Sequence, residues 1–245
     1  MVGWLILDPD RRGWRIQMEW TQVRGMPLLC VRVPVPEGIP RRVLERRTGR
    51  AARKLARRGC RRVLTQAGFG LWPWLEQEGL TAVEAGELCR AMAAPLLLAA
   101  LERAGIPAER AAVELRAVRV GRACFETAEQ LCPKVRQLIV TAPGGGAELA
   151  HYLRAEYGVA ALEGGEGRCG DATACFTPEE SPPEGAFLLC GPRPILNGFS
   201  LALAEGMLPG EADPLALMAL LWGEGRLSLT ELVVDGAGNP LDRAE

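Results

Sequence analysis

The fold class is decided by residues 112–162, which read AVELRAVRVGRACFETAEQLCPKVRQLIVTAPGGGAELAHYLRAEYGVAAL. Two short apolar runs, Ala112–Val118 and Gln137–Thr141, are typical of strands, and helix-like stretches follow each of them. The same order of segments occurs in residues 28–83. A repeated strand–helix–strand–helix–strand pattern favours parallel sheets with crossover helices. The sequence therefore predicts an α/β fold with two repeated Rossmann-like βαβ units.

The segments that flank the repeat predict further elements. Val2–Leu7, the alternating stretch Trp14–Trp20 and the apolar run Leu28–Val33 are expected to form an N-terminal antiparallel β meander. The alternation predicts a strand with one buried face, which would place two tryptophans in the core. Helices predicted at Leu196–Glu205 and Pro214–Trp222, together with short strands, make up a C-terminal mixed α/β tail.

The chain has 245 residues, enough for one large domain or two small ones. The repeat predicts one domain in residues 1–105, holding the meander and the first α/β unit. The second domain, residues 106–245, holds the second unit and its C-terminal extension. Residues 1–144 carry 24 basic and 14 acidic side chains, whereas 145–245 carry 5 and 16. This asymmetry fits either an anionic partner for the basic half or attraction between the two halves.

Composition disfavours several classes of protein. The longest apolar run, Ala91–Leu101, is well short of the ~20 residues that cross a bilayer. The N-terminus lacks the pattern of a signal peptide, so a cytoplasmic location is expected. The 8 cysteines include no CxxC pair and are expected to be reduced, buried thiols. With His151 as the single histidine and Cys169-x5-Cys175 as the nearest approach to a cluster, no metal site is predicted.

The loop Gly144-Gly145-Gly146 is the best candidate for a ligand site. It lies between the strand Gln137–Thr141 and a helix that starts near Ala147. Glycines permit positive φ angles and let the backbone approach a phosphate, while free N–H groups and a helix N-terminus supply positive potential. The sequence thus predicts that a small anionic or nucleotide-like ligand binds here. The alternative is a tight turn that needs glycine for its geometry alone.

A carboxylate after the next strand suggests a more specific ligand. Glu163 stands 19 residues after Gly144, where it could accept hydrogen bonds from the ribose of NAD or NADP. The glycine motif is incomplete because Leu149 replaces the third glycine, and Glu148 would repel a phosphate. An NAD(P)-dependent oxidoreductase is therefore an alternative function. No catalytic residue is assigned, since no nucleophile, base and orienting group can be matched, and His151 alone does not supply them.

The corresponding loop of the first unit is Gln66–Gly70, followed by Trp72-Pro73-Trp74. Both loops are expected at the carboxyl ends of strands, where open parallel sheets bind ligands. The aromatic side chains of Phe69, Trp72 and Trp74 either stack on a ligand or pack beneath the loop, and packing is favoured.

The densest charge feature is Arg41–Arg62, which holds eleven cations and a single carboxylate, Glu45. Such a segment could follow a nucleic-acid backbone or bind an acidic partner. It could equally be the solvated outer face of a crossover helix. A non-enzymatic interaction protein is thus the third functional hypothesis, beside the small-ligand-binding protein and the oxidoreductase.

Overall fold

A computed structural model describes residues 1–11, 13–165, 170–191 and 193–236. The strands are β1 (Val2–Asp8), β2 (Gln17–Val23), β3 (Met26–Pro34), β4 (Arg62–Leu64), β5 (Thr81–Ala82), β6 (Ala112–Arg116), β7 (Gln137–Thr141), β8 (Ala160–Glu163), β9 (Ala172–Cys175), β10 (Phe187–Leu188), β11 (Phe199–Leu203) and β12 (Leu232–Gly236). The α-helices are α1 (Arg41–Arg57), α2 (Trp72–Glu76), α3 (Gly86–Ala91), α4 (Ala93–Arg103), α5 (Arg122–Leu131), α6 (Gly146–Tyr157) and α7 (Pro214–Gly223).

The chain divides into two compact units, each with its own sheet. The first contains residues 1–84 and 205–228, and the second contains residues 85–204 and the described residues from 229 onward. This division differs from the expected boundary at 105/106. Helices α3 and α4 belong to the second unit because they pack against α5, and α4 also contacts β9.

The first unit contains a five-stranded sheet in the order β2-β3-β1-β4-β5. Strands β1, β3, β4 and β5 are parallel, and β2 pairs antiparallel with β3. Helix α1 connects β3 to β4 and buries Ala51, Ala52 and Leu55 against the sheet. A helix that lies over one face of a parallel sheet is the crossover that the sequence predicts.

The predicted antiparallel meander is wrong. Only β2 and β3 form a hairpin, with Arg24 (φ 48°) and Gly25 (φ 75°) as the two residues of its turn. Strand β1 does not pair with β2 but lies between β3 and β4. The reason is burial: β1 buries consecutive residues from Val2 to Ile6, so both of its faces are covered, as in a central strand.

The tryptophans of the alternating stretch are also not in the core. Trp14 is 76% exposed and Trp20 is 58% exposed, while Ile16 and Met18 between them are half-buried against the core. Trp20 lies in β2, an edge strand with a neighbour on one side only, and Trp14 lies before that strand. The expectation that both indoles are core residues is therefore wrong.

The second unit contains five parallel strands in the order β10-β9-β6-β7-β8. Helix α5 connects β6 to β7, and α6 connects β7 to β8. Numbered from β6, the order of the strands is 3-2-1-4-5, which matches the first five positions of the 3-2-1-4-5-6 order of a doubly wound Rossmann sheet. The chain is thus an α/β protein with parallel sheets.

The internal repeat holds for the order of elements but not for the order of strands. Strands β6, β7 and β8 are consecutive neighbours, whereas β1 separates β3 from β4 in the first unit. The C-terminal tail is likewise not a separate module. Helix α7 joins the first unit, β9 and β10 complete the second sheet, and β11 pairs with β12 in a separate antiparallel ribbon.

Of the two helices predicted for the C-terminal tail, one is present in the structure and one is not. Helix α7 begins at Pro214, and the Asp213 carboxylate caps it by accepting from the N–H groups of Leu215 and Ala216 at 3.0 and 3.2 Å, as predicted. The helix predicted at Leu196–Glu205 is wrong, because that segment contains the strand β11.

Part of the charge asymmetry is balanced by ion pairs inside the first unit. Arg32 donates two hydrogen bonds to Glu211 at 2.5 and 2.9 Å, and Arg62 donates to Glu224 at 3.0 Å. Each pair joins a cation of the first half of the sequence to an acid of the second. Among the described helices, none is long and apolar enough to cross a membrane.

Candidate functional site

The loops that follow β6 and β7 are joined by backbone hydrogen bonds. Gly144 and Arg119 form an isolated parallel bridge beyond the ends of the two strands. The N–H of Val120 donates to the carbonyl of Gly144 at 2.7 Å, and the N–H of Gly144 donates to the carbonyl of Val118 at 3.1 Å. These bonds hold the Arg119 side chain beside the triglycine loop.

The three glycines have three different structural roles. A Cβ on Gly144 would lie 3.0 Å from Cγ of Arg119, so the close approach of the two loops requires glycine there. Gly145 has a φ of 86° and is the N-cap of α6. Gly146 is buried as the first residue of that helix, and its N–H donates to the carbonyl of Ala142 at 3.0 Å.

The prediction that the loop offers free N–H groups is therefore wrong for Gly144 and Gly146, because backbone carbonyls accept hydrogen bonds from both of these N–H groups. The start of α6 still provides donors. No side chain caps this helix, and the first turn of any helix contains N–H groups without intrahelical partners. The N–H groups of Ala147 and Glu148 belong to that turn.

Beside these loops lies a surface pocket of about 610 Å³. Its wall contains a cation, a carboxylate, two glycines and two aromatic rings, contributed by Arg119, Glu148, Gly144, Gly145, Phe125 and Tyr152. The Arg119 side chain is exposed and forms no ion pair with any residue of the described ranges. A cation and the start of a helix thus meet in one concavity, which suits a negatively charged group.

The aromatic wall is held in place by contacts behind it. The rings of Phe125 and Tyr152 lie 5.3 Å apart at 32°. The hydroxyls of Tyr152 and Tyr157 donate to one carboxylate oxygen of Glu129 at 3.1 and 3.0 Å. The Glu129 bond, followed by desolvation, raises the pKa of Tyr157 to about 12, so this phenol stays protonated at neutral pH.

Two residues singled out in the sequence do not line this pocket. Glu163 ends β8, pairs in register with Val140 and is exposed. His151 is exposed on α6. The structure therefore brings Gly144 and Gly145 to the pocket with Arg119, but it does not bring Glu163 or His151 there.

The sequence reasoning missed a polar cluster at the carboxyl end of β6. Glu114 is only 1% exposed, and one of its carboxylate oxygens accepts from Nη1 of Arg116 and from Oγ1 of Thr141, both at 2.7 Å. Thr173 donates to the other oxygen at 3.4 Å, and Nε of Arg116 contacts both oxygens of Glu179 at 3.0 Å. A detectable signal was the carboxylate between Val113 and Leu115 in an apolar strand.

This cluster occupies the point at which the strand order reverses. From β6 the chain proceeds to β7 and β8 on one side, and β9 and β10 lie on the other. Ligands of open α/β sheets commonly bind at this point. Here Arg116 forms hydrogen bonds to the carboxylates of Glu114 and Glu179, so its charge is balanced inside the protein and is not available to an anion.

The loop Gln66–Gly70 of the first unit lines a pocket of its own, about 470 Å³ in volume. The Gln66 amide closes one wall by accepting from the N–H of Leu7 and donating to its carbonyl, both at 2.9 Å. Phe69 is buried and contacts the half-buried Trp72 edge to face, with centroids 5.4 Å apart. For these two rings the predicted packing beneath the loop is confirmed.

Seven cysteines lie in the described ranges, where they are free thiols, and Cys169 lies outside those ranges. Burial raises the pKa of Cys89, Cys124 and Cys175 to about 12, so these thiols are protonated at neutral pH. Among the described residues, no group of three His, Cys, Asp or Glu side chains could hold a metal ion.

No family model matches the chain, and no curated protein matches it. Among solved structures, L-tryptophan dehydrogenase from Nostoc punctiforme is similar over 62% of this chain and 44% of its own, with 17% identity and a TM-score of 0.30. A shikimate 5-dehydrogenase-like protein is similar over 61% of this chain and 55% of its own, with 13% identity and a TM-score of 0.25. This chain thus spans about half of the length of each of those two proteins. Identities and TM-scores this low support no conclusion about activity.

Proposed function

We propose that this protein binds a small anionic, nucleotide-like ligand in the pocket beside Gly144 and Gly145. The observation that carries the proposal is the meeting of Arg119 with the uncapped first turn of α6 in one concavity. A guanidinium and helix N–H groups together provide charge-assisted hydrogen bonds to a phosphate or carboxylate. The protein is proposed as a binding protein, with no catalytic residue assigned and a cytoplasmic location inferred from its composition.

The aromatic wall supports a ligand that contains a planar ring. Phe125 and Tyr152 line the same pocket as Arg119, so a ring against the wall would leave its anionic group within the reach of the cation. Aromatic surfaces bind planar groups through burial and offset stacking. A nucleotide combines these two parts, whereas inorganic phosphate offers only one of them.

Glu148 opposes the binding of an anion, so its replacement should change the affinity for the ligand in the opposite direction from the replacement of Arg119. It lies in the first turn of α6 and lines the pocket. Its charge stabilises the helix dipole but repels a negative ligand. Neutralising Glu148 should therefore strengthen binding, whereas neutralising Arg119 should weaken it.

The alternative, an NAD(P)-dependent oxidoreductase, has no comparable support. Its ribose-binding acid was expected to be Glu163, which does not line the pocket. The loop after β6, where a Rossmann half holds a pyrophosphate, contains Gly121 as its single glycine. NADH and NADPH remain necessary probes, because binding of either would revive this alternative.

The test is calorimetric titration of the full chain with AMP, ATP, NADH, NADPH, S-adenosylmethionine and inorganic phosphate. Arg119→Gln should weaken the binding of the best anionic ligand about tenfold or more, the value of a charged hydrogen bond. Glu148→Gln should strengthen binding about two- to fivefold, the scale of one repulsive charge near a surface. Arg110→Gln, an exposed arginine in the same unit that does not line the pocket, is the matched control.

Two results would overturn the proposal. One is that no probe binds at millimolar concentration. The other is a ligand whose affinity is the same for the native protein and for Arg119→Gln. Binding of NADH or NADPH that is lost in Glu163→Gln and kept in Arg119→Gln would favour the oxidoreductase.

A further inference from the structure

A second concavity, on the first unit, is lined mainly by cations. It has a volume of about 470 Å³ and lies between the segment before β2 and helix α1. Its lining consists of five basic side chains, one aliphatic side chain and one indole: Arg15, Arg50, Arg53, Lys54, Arg57, Ile16 and Trp14. We name this site the Trp14 cleft.

The cations of the cleft form one stripe along α1. Arg50, Arg53, Lys54 and Arg57 are spaced i, i+3, i+4 and i+7, so their side chains share a face of the helix. Of these, Arg53 forms an ion pair with Glu78 at 3.0 Å. Arg50, Lys54 and Arg57 form no ion pair with any described residue.

Such a stripe reduces the stability of the helix. Like charges at a spacing of three or four residues repel one another and destabilise a helix. Arg50, Arg53, Lys54 and Arg57 form four such pairs, and only the Glu78 carboxylate offsets them. A bound polyanion would remove this repulsion.

The indole of Trp14 is the second observation that indicates a ligand. Its side chain is 76% exposed, the largest exposed fraction of any described tryptophan. The buried Arg47 guanidinium lies 4.2 Å from the centroid of the ring, and its Nη1 donates to the carbonyl of Pro34 at 2.6 Å. One face of Trp14 is therefore supported by a fixed cation, while the rest of the ring is open to solvent.

We infer that the Trp14 cleft binds single-stranded nucleic acid. A base stacks on Trp14, and the adjoining phosphates contact Arg15, Arg50, Lys54 and Arg57. Grooves that bind single strands combine a line of cations with an aromatic platform. Unpaired bases expose their faces to such a platform, whereas the bases of a duplex are already stacked on one another. An acidic protein would use the cations but has no comparable need for the indole.

The inference is independent of the pocket beside Gly144, since that pocket lies in the other unit. The test measures the anisotropy of a labelled single-stranded oligonucleotide of about 20 nucleotides as the full chain is added. Four phosphate contacts, one each for Arg15, Arg50, Lys54 and Arg57, predict a salt slope near −2.8. Affinity should then fall about 50-fold between about 50 and 200 mM salt.

Two variants separate the stacking contribution from the charge contribution. Trp14→Ala should weaken binding about 5- to 150-fold without changing the salt slope, because one stacked base is lost and no phosphate contact is lost. The triple variant Arg50→Gln, Lys54→Gln, Arg57→Gln should make the slope about two units shallower. Trp20→Ala, which removes another exposed indole of the same unit, is the matched control for Trp14→Ala. Melting of each variant, followed by circular dichroism, verifies that it is folded.

The inference is overturned if the oligonucleotide does not bind at low salt. It is also overturned if Trp14→Ala binds like Trp20→Ala, since the cleft then attracts charge alone. The inference is likewise overturned if duplex DNA or inorganic polyphosphate binds as tightly as the single strand, since the cleft then attracts charge alone. An acidic peptide that displaces the oligonucleotide and binds more tightly would assign the cleft to a protein partner instead.

Discussion

Replacing Glu114 by alanine should destabilise the second unit by roughly 3–5 kcal/mol. Glu114 is 1% exposed and accepts hydrogen bonds from Arg116, Thr141 and Thr173. Removing one partner of a buried ion pair costs about 3–5 kcal/mol when the other charge is left uncompensated. Arg116 keeps both of its contacts to Glu179, which reduces this contribution to roughly 2–3 kcal/mol. The two threonine hydroxyls lose their acceptor and add roughly 0.5–1 kcal/mol each.

The assay is urea unfolding followed by circular dichroism. With an m-value of about 3 kcal/mol/M, the midpoint should fall by about 1–1.7 M. Hydrogen exchange of the β6 and β7 amides then assigns the loss to the second sheet, because two units can unfold in separate transitions. Glu114→Gln preserves the volume and an acceptor for Thr141, so it should cost clearly less than Glu114→Ala.

The control is Glu148→Ala, which removes an exposed carboxylate of the same unit and should change stability by less than about 0.5 kcal/mol. If Glu114→Ala is within about 1 kcal/mol of this control, the described network does not stabilise the sheet. If Glu114→Gln is as damaging as Glu114→Ala, the contribution comes from charge alone and the hydrogen-bond accounting is wrong.

Three further predictions concern other parts of the molecule. Gly164→Ala should destabilise the second unit, because its Cβ would overlap with Thr141. Gly165→Ala, with open space around it, should change the midpoint of the same urea unfolding experiment little. Glu211→Gln should lower stability more at pH 7 than at pH 3. The hydrogen bond from Arg32 lowers the pKa of Glu211, so the stabilisation is present above the ordinary carboxylate range and is lost as the pH falls through the lowered pKa; a difference as large at pH 3 as at pH 7 would contradict this. Stability should also fall as the pH rises above 9. The buried thiols of Cys89, Cys124 and Cys175 have a pKa of about 12 in the folded protein, so unfolding lets them ionise. A urea midpoint that is equal at pH 8 and pH 10 would count against this prediction.

Local signals were read correctly where a short stretch of sequence determines the outcome. The crossover helix expected in the basic segment Arg41–Arg62 is α1, whose apolar side chains are buried against the sheet. The Asp213-Pro214 pair starts α7 as expected, because the carboxylate caps the helix and proline suits its first position. The triglycine loop does lie between a parallel strand and a helix.

The errors arose where neighbours decide the outcome. Phe199, Leu201 and Leu203 alternate as in a strand, but the stretch also fits a short helix, and only β12 as a partner selects the strand. Trp14 alternates with polar residues as a core residue would, yet it precedes the edge strand β2 and is 76% exposed. Periodicity shows which residues share a face but not whether another element covers that face.

The candidate site was located only in part for the same reason. Gly144 and Gly145 were found because glycine carries a backbone signal in the sequence itself. Arg119 was missed because 25 positions separate it from Gly144, and only the bridge between the two loops brings them together. Glu163 was proposed from its distance along the chain, and it does not line the pocket beside Gly144.

The amino-acid sequence alone determined the class of fold, the crossover helices and the positions that require glycine. These properties depend on the periodicity of side chains and on the backbone freedom of single residues, so they are local. The tertiary structure decided the order of the strands, the loss of two glycine amides to backbone carbonyls, and the placement of Arg119 and Trp14 beside open concavities. Those outcomes depend on hydrogen bonds and burial between segments far apart in the chain, which no local pattern encodes.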